Sequence, residues 1–491
     1  MTRSSSRLLR STLLMSGLTL VSRISGLIRD QLQAHFLGTG AAADAFSIAL
    51  TTPNLFRRLV GEGAVSAGFV PIFSKEATHR DPQSLSRIAS NFLITIGLVT
   101  SLLTVIVLAA TPWLTKTLFA PGYATDESKI ALTVILTRIT FPYLIFICLA
   151  AVIQGILNSF DRYGPSSASP ILFNLAIIGC AVAAINRLPD ISLAFAVGVT
   201  LGGFLQFAIQ LPYLARHQIK LQLVVDLHDP ALRRMTRLIV PTLFGAGIYQ
   251  VNFFVSQLVS TYLGEGVRAA LYYSGRLLEL VLGIVAASIA TAILPALSRS
   301  TNDPKNLAHT LSDGVGLMIF VSLPTMAITL MLGKPLIAIL FQRGAFDAIS
   351  TGHVYSAVVY HILGLLPIGI YRIVIPTYFA FEDTRTPVKA GLISLIINAV
   401  ACVLLGPRLQ EAGIALASTL SVVGALIYLL LALPKRLNQS FKGDRDHWRS
   451  LLDPIGQSFI KGMIASALVT MVALVAIHFF PDPFPRQLGW S

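Results

Sequence analysis

Ser22-Arg23-Ile24-Ser25-Gly26-Leu27-Ile28-Arg29-Asp30 sets two arginines and an aspartate inside residues 11–36, a stretch otherwise apolar enough to span a bilayer. Arg57, Arg58 and Arg276 stand in comparable surroundings. At a helix centre each basic residue costs about 2.5–3.5 kcal/mol to insert, so five facing lipid would cost roughly 12–17 kcal/mol. A chain keeps such residues where they face water, a counter-charge or a substrate. The stretch therefore predicts a polar, cationic cavity buried in a membrane protein and suited to an anionic ligand.

Composition agrees with a membrane setting. Of 491 residues, 54% are apolar and 12% charged, against about 25% charged in soluble domains, and the mean hydropathy is +0.73. Apolar stretches near membrane-spanning length recur along nearly the whole chain, leaving no room for a sizeable soluble domain. The fold class predicted is all-α, with about thirteen spans at 11–36, 42–72, 88–113, 129–158, 165–186, 191–215, 237–263, 268–298, 307–332, 351–380, 387–407, 411–434 and 457–480. Arg3, Arg7 and Arg10 before the first run mimic a signal peptide, but no small-residue cleavage site follows, so it is read as a retained helix. Cys148, Cys180 and Cys402 all lie in apolar spans without paired spacing, as small core residues do.

The net charge of +14 is spread over short loops. No basic stripe with an aromatic platform accompanies it, which excludes nucleic acid as a partner. With span-edge residues counted in the adjoining loop and the N-terminus inside, 22 of the 37 basic residues fall on the cytoplasmic side, 8 outside and 7 within spans. The positive-inside rule then orients the chain with its N-terminus in the cytoplasm.

The chain is also doubled. Val70-Pro71-Ile72-Phe73-Ser74-Lys75 resembles Leu294-Pro295-Ala296-Leu297-Ser298-Arg299, Pro112 to Gly122 resembles Pro335 to Gly344, and Asp161-Arg162-Tyr163-Gly164-Pro165 resembles Asp383-Thr384-Arg385-Thr386-Pro387. The offset between partners is nearly constant and amounts to six spans, so both halves share one orientation. This predicts two six-helix lobes related by a pseudo-two-fold along the membrane normal, with the substrate site between them. The organisation expected is an N-terminal lobe at 1–216, a cytoplasmic linker at 217–236, a C-terminal lobe at 237–434, a basic cytoplasmic loop at 435–456 and an extra helix with its tail at 457–491.

Each charged residue has a plain alternative. Arg23 and Arg29 point about 120° apart on a helix and can line one broad wall, unless Arg29 and Asp30 snorkel outward. Asp44 lies near the external end of the second span. Arg58 and Glu62 are i,i+4 neighbours that can simply pair, whereas Arg57 on another face is the better cavity candidate. Arg276 and Glu279 are i,i+3 and can neutralise each other. Arg138 and Arg372 are single basic residues, and His361 reads as packed rather than as a proton relay. In sum, seven basic residues in the spans face four acidic ones, Asp30, Asp44, Glu62 and Glu279. That sign disfavours organic cations and suits a diphosphate, which guanidinium forks grip with two parallel hydrogen bonds. No P-loop, H-E-x-x-H, G-x-S-x-G or metal-binding carboxylate cluster occurs, so neither enzyme, cofactor nor metal is predicted.

At these residues the sequence resembles the bacterial lipid II flippases (the MurJ/MviN family) of the multidrug/oligosaccharidyl-lipid/polysaccharide exporter superfamily. The likeness runs through Ser22 to Asp30, Asp44-Ala45-Phe46, Pro53 to Arg58, Glu62-Gly63-Ala64, Phe69-Val70-Pro71, Ala120-Pro121-Gly122, Phe141-Pro142-Tyr143, Gln206 with Gln210-Leu211-Pro212, Tyr273 to Glu279 and Thr386 to Lys389. It implies an inner-membrane protein that moves undecaprenyl-diphosphate-linked peptidoglycan precursor to the outer leaflet by alternating access. It also implies membrane lipid and the cell-wall synthesis machinery as surroundings. By position it makes Arg23, Arg29, Arg57 and Arg276 cavity arginines, with Asp30 and Asp44 as acids of the same site. Arg58, Glu62 and Arg372 match charged positions of less defined role.

Two departures stand out. The chain is expected to lack the family's usual fourteenth helix, which leaves the family's lipid-tail groove aside. Without Asp or Glu at 238–262 or 388–407, the sodium site of some relatives is not carried over either. The rival functions are a flippase for another polyprenyl-diphosphate glycan, a cation-coupled drug exporter and a non-transporting scaffold.

Overall fold

The computed structural model describes residues 3–59, 65, 68–77, 81–299, 304–441 and 447–479, and among these no strand occurs. The helices are α1 (Arg3–Leu37), α2 (Ala41–Arg57), α3 (Val70–Ala77), α4 (Pro82–Leu114), α5 (Glu127–Thr140), α6 (Tyr143–Asn158), α7 (Gly164–Ala184), α8 (Ser192–Ala208), α9 (Leu211–Arg216), α10 (Pro230–Ser260), α11 (Val267–Arg299), α12 (Pro304–Phe341), α13 (Ala348–Leu363), α14 (Leu365–Ala380), α15 (Arg385–Phe441) and α16 (His447–Phe479). Every predicted span is built on helix among the described residues. Several are broken: 129–158 at Phe141-Pro142, between α5 and α6, and 351–380 at Gly364, between α13 and α14. Conversely, 387–407 and 411–434 run together as α15, divided by Gln410 in a non-helical conformation.

Among the described residues, seven helical segments are long and apolar enough to cross a membrane, or eight when the pair α13 and α14, bent by 41°, counts as one. Their outward faces say the same. Leu98, Leu102, Val105 and Ile106 of α4 are all exposed, with Leu102 at 63%. A continuous apolar stripe of this kind is stable against hydrocarbon, not water. The protein is a multi-pass membrane protein.

The doubling seen in the sequence returns in the helix boundaries. α4 begins at Pro82 and α12 at Pro304; α6 ends at Asn158 and α14 at Ala380. Both pairs keep the spacing that relates Asp161 to Asp383 in the sequence repeat. The chain leaves α6 through Asp161 (φ 57) and α14 through Glu382 (φ 57), so the reversal itself is repeated.

Two compact units emerge, one of Met1–Ala269 with Arg343–Asp347, the other of Ala270–Gln342 with Ala348–Ser491. The lobes expected at 1–216 and 237–434 rest on the sequence repeat, and the compact units, which rest on packing, place residues up to Ala269 in the first. The reason is α10. Its Leu232, Met235 and Ile239 enter the core formed by Val65, Phe69, Phe73, Phe92, Ile153 and Leu157, where Phe69 stacks between Phe73 and Phe92 at 5.0 and 4.5 Å.

Within the first unit, α8 sets the position of α7. A Cβ on Gly198 would meet the Cα of Ile177 at 2.7 Å, and one on Gly202 would meet the ring of Phe173 at 2.8 Å. These small residues let the two backbones approach closely, as helices in lipid require. Asn174 lies on the flank of the α8-facing side of α7 and reaches α1.

Candidate functional site

α1 presents Ser22, Ser25, Gly26 and Arg29 along one face, the i, i+3, i+4, i+7 pattern of a packing stripe. Asn174 of α7 meets that face. Its side-chain amide donates to the Ser22 carbonyl at 3.1 Å and to Ser25 Oγ at 3.0 Å. Its oxygen accepts from Arg29 Nη1 at 3.0 Å. Gly26 stands beside this contact, where a Cβ would lie in ordinary van der Waals contact with Asn174 Nδ2 at 3.5 Å. Arg29 completes its pairing with Asp30, whose Oδ1 accepts from Nε at 3.0 Å and from Nη2 at 2.6 Å.

Arg29 is only 7% exposed and Asp30 is buried beside it. The pair therefore points into the protein and does not snorkel outward. An ion pair between neighbours in sequence is unusual on a helix. Asn174 supports it by holding the guanidinium from the far side. The result is a desolvated, oriented cation, which binds an oxyanion more strongly than the same group in water.

The other sequence candidates are distributed as follows. Arg23 is half-buried on α1. Arg57, also half-buried, donates from Nε to Asn54 Oδ1 at 3.1 Å in the last turn of α2, where Pro53 stands inside the helix. Arg58 follows as the C-cap, and its expected partner Glu62 lies outside the described residues. In the second unit, Arg276 pairs with Glu279 at 3.1 Å and its guanidinium lies 5.1 Å over the Tyr272 ring. Arg372 and Arg138 are exposed. His361 Nδ1 sits 3.0 Å from Ser274 Oγ, a packed polar contact.

Asp44 has a different setting. It is fully buried, and its Oδ2 accepts from Lys129 Nζ at 2.7 Å and from the Gly266 backbone N–H at 2.9 Å. Oδ1 accepts from the Ala269 N–H at 2.8 Å. Asp44 thus caps the start of α11, a favourable place for a carboxylate. Reciprocally, Glu265 Oε1 accepts from the N–H of Ala41, the first residue of α2. The starts of two helices related by the repeat each hold the other's cap. Gly266 makes the turn possible at φ +84, and a Cβ there would strike the Thr39 carbonyl at 2.6 Å.

Three residues of these two settings escape a reading of charge inside spans. Lys129, over the Tyr123 ring at 4.1 Å, and Arg268, buried with Nη2 donating to Thr51 Oγ1 at 2.9 Å, stand at span edges. Asn174 is neutral. The small-residue stripe of α1 was the available signal for it. Among the described residues no cluster of His, Cys, Asp or Glu has the makings of a metal site.

Comparison with known proteins supplies the remaining constraint. A family profile described as "Lipid II flippase MurJ" matches residues 33–486. A probable lipid II flippase MurJ of Vibrio cholerae is 34% identical over 426 residues, covering 85% of this chain and 81% of that protein. The lipid II flippase MurJ of Burkholderia cenocepacia is 30% identical, with 87% and 84% covered. A solved lipid II flippase MurJ in an inward closed conformation superposes with a TM-score of 0.76 at 25% identity, covering 96% of this chain and 99% of that one. An inward-facing multidrug resistance MATE family transporter shares the fold, with a TM-score of 0.68 at 13% identity over 87% and 99% of the two chains.

Proposed function

The chain belongs to the MurJ family of lipid II flippases, and we propose from there how its own residues carry a diphosphate-linked lipid across the inner membrane. The substrate is lipid II, whose diphosphate is the anionic group that a cationic intramembrane site would select. Arg29 is the primary ligand. Its burial and its three hydrogen bonds to Asp30 and Asn174 support this reading above any other single observation. Arg23 and Arg57 add charge to the same headgroup, and Arg276 is a further ligand carried by the second unit. Asp30 keeps Arg29 folded while the site is empty and yields part of its hold when phosphate oxygens arrive. Asp44 acts through the chain's architecture, as a buried anchor for the start of α11, and not by touching the substrate.

The N-terminus is cytoplasmic, supported by the basic loops at 216–237 and 435–449. In that orientation the Asp44 anchor lies toward the outer face, where it keeps the starts of α2 and α11 together. Transport then proceeds by alternating access, with the headgroup enclosed and the prenyl chain left in lipid. Outward movement of a negative charge is downhill by about 2.3 kcal/mol per 100 mV of inside-negative potential.

The test is lipid II translocation by the purified chain in liposomes, together with growth of a strain depleted of its own flippase. The wild-type chain should translocate lipid II and restore growth. Arg29→Ala should do neither while remaining inserted at normal levels. Normal growth on Arg29→Ala would remove Arg29 from the role. Failure of the wild-type chain alongside translocation of another polyprenyl-diphosphate glycan would move the substrate assignment to that glycan.

A further inference from the structure

Residues 219–226, between α9 and α10, form an extended segment fastened alongside the first turns of α4. Ser86 Oγ donates to the Gln218 carbonyl at 3.3 Å and accepts from the Lys220 N–H at 3.1 Å. Ser90 Oγ accepts from the Gln222 N–H at 2.9 Å. Asn91 makes a two-way bond with the Asp226 backbone, at 2.8 and 2.9 Å. The fastening uses even-numbered residues. In extended chain, alternate residues face opposite ways, and after Ile219, which is buried in the first unit's core, the odd-numbered ones are left outward. Leu221, Leu223, Val225 and Leu227 are all exposed, Leu223 at 98%. The N–H groups of Leu221, Leu223 and Val225 have no hydrogen-bond partner among the described residues.

A loop between helices has no folding reason to display four aliphatic side chains while spending three polar side chains to hold that display in place. Depth explains it. Ser90 precedes Leu98, the first of the outward apolar stripe on α4, by about two helical turns, roughly 12 Å along the axis. The segment therefore sits at the headgroup level of the bilayer. Its flanks are basic: Arg216, Lys220, Arg233, Arg234 and Arg237 are exposed, against Asp226 and Asp229 in the same stretch.

We propose that residues 219–227 are an interfacial strap that binds anionic phospholipid. Leu221, Leu223, Val225 and Leu227 enter the acyl boundary of the leaflet, and the open N–H edge with Arg216 and Lys220 takes headgroup phosphate. Assigning that leaflet to the cytoplasmic side rests on the proposed orientation. The depth of the segment does not, because it is measured against the bilayer from either side.

The experiment places a nitroxide label on a cysteine at Leu223 of the full chain, with Cys180→Ala removing the partly exposed native thiol. References are labels at Gln83, exposed at the start of α4, and at Leu102 in its apolar stripe. Collision rates with oxygen and with a water-soluble nickel chelate are read in phosphatidylethanolamine–phosphatidylglycerol liposomes and in phosphatidylcholine liposomes. Expected is a Leu223 label shielded from the chelate severalfold relative to Gln83 and deeper with phosphatidylglycerol. Arg216→Gln with Lys220→Gln should abolish that lipid difference. Chelate access equal to that at Gln83 overturns the strap. Equal depth in both lipids overturns its anionic selectivity. Shielding that appears only on adding cytosolic protein overturns it in favour of a protein dock.

Discussion

The first unit holds two buried acid–base pairs that differ in what they are bound to. Arg29–Asp30 joins neighbours on one helix, and its third partner is the neutral amide of Asn174. Asp44–Lys129 joins two helices, and the carboxylate is also committed to two backbone N–H groups at the start of α11. In the first pair the arginine is held from two sides yet keeps the one charge type that a phosphate seeks. In the second, both carboxylate oxygens and the ammonium are spent on protein. Burial of a charge in a span thus has two meanings, and the identity of the partners separates them: side chains that can be traded for a ligand, or backbone that cannot.

The sharpest way to break this contrast is to remove each pair's indispensable member. Arg29→Ala should lower lipid II translocation per folded molecule by about 100-fold or more, the worth of one or two charge-assisted hydrogen bonds, beyond the loss in thermal midpoint that follows from leaving Asp30 buried without its guanidinium. Asp44→Ala should do the reverse in origin. It leaves Lys129 buried without its carboxylate and two helix-start N–H groups without an acceptor, a loss of about 3–5 kcal/mol of stability. Thermal unfolding with translocation by the surviving folded fraction separates the two. A stable, inactive Asp44→Ala would put that residue in the substrate site and end the distinction.

Much of this was legible beforehand. The apolar stretches of spanning length placed helix at every predicted span, and the spacing of the internal repeat recurs in helix boundaries as far apart as Pro82 and Pro304. The excess of arginine inside spans marked Arg29. What could not be read is instructive. Lys129 and Arg268 stand at the first residues of their spans, where snorkelling into water is the ordinary fate, and only the reciprocal capping of α2 and α11 buries them. Asn174 carries no charge, so a count of charges passes it over; it lies on the flank of α7 next to the face that packs on the α8 glycines, and meets α1 from there. The division of the chain at Ala269 follows from α10 packing into the first unit's aromatic core, a tertiary contact with no local signature. The repeat held one unused clue: Gly266, a partner of Asp44, stands one repeat beyond it.

A smaller effect sharpens the first pair. Asn174→Ala removes the amide that orients Arg29 without touching either charge. It should reduce translocation about tenfold, consistent with a hydrogen bond to a charged group worth roughly 1.5–3 kcal/mol. Asn174→Gln should not restore it, because the longer side chain cannot meet Ser22, Ser25 and Arg29 together. An unchanged rate in Asn174→Ala would mean that Asp30 alone positions the guanidinium.

The second pair has a peripheral support whose loss should be smaller still. α5, which carries Lys129, is started by Asp126, and Oδ1 of that aspartate accepts from the Lys129 backbone N–H at 3.0 Å and from Ser128 Oγ at 2.7 Å. These bonds, the backbone one foremost, hold the Asp126 carboxyl below the usual carboxylate range. A carboxylate with a lowered folded value stabilises the protein in full above its ordinary pKa of about 3.9 and loses that contribution as pH falls through the lowered value. Asp126→Asn should therefore flatten the acid end of the stability profile, lying a little below wild type at neutral pH and meeting it as pH falls through the lowered value. Its shift in thermal midpoint should be well below that of Asp44→Ala, because the Asp126 side chain lies in water, where a lost charge is readily solvated. If Asp126→Asn instead matched Asp44→Ala, the anchor would reside in the start of α5 rather than in the buried ion pair. The comparison would then rest on helix capping alone.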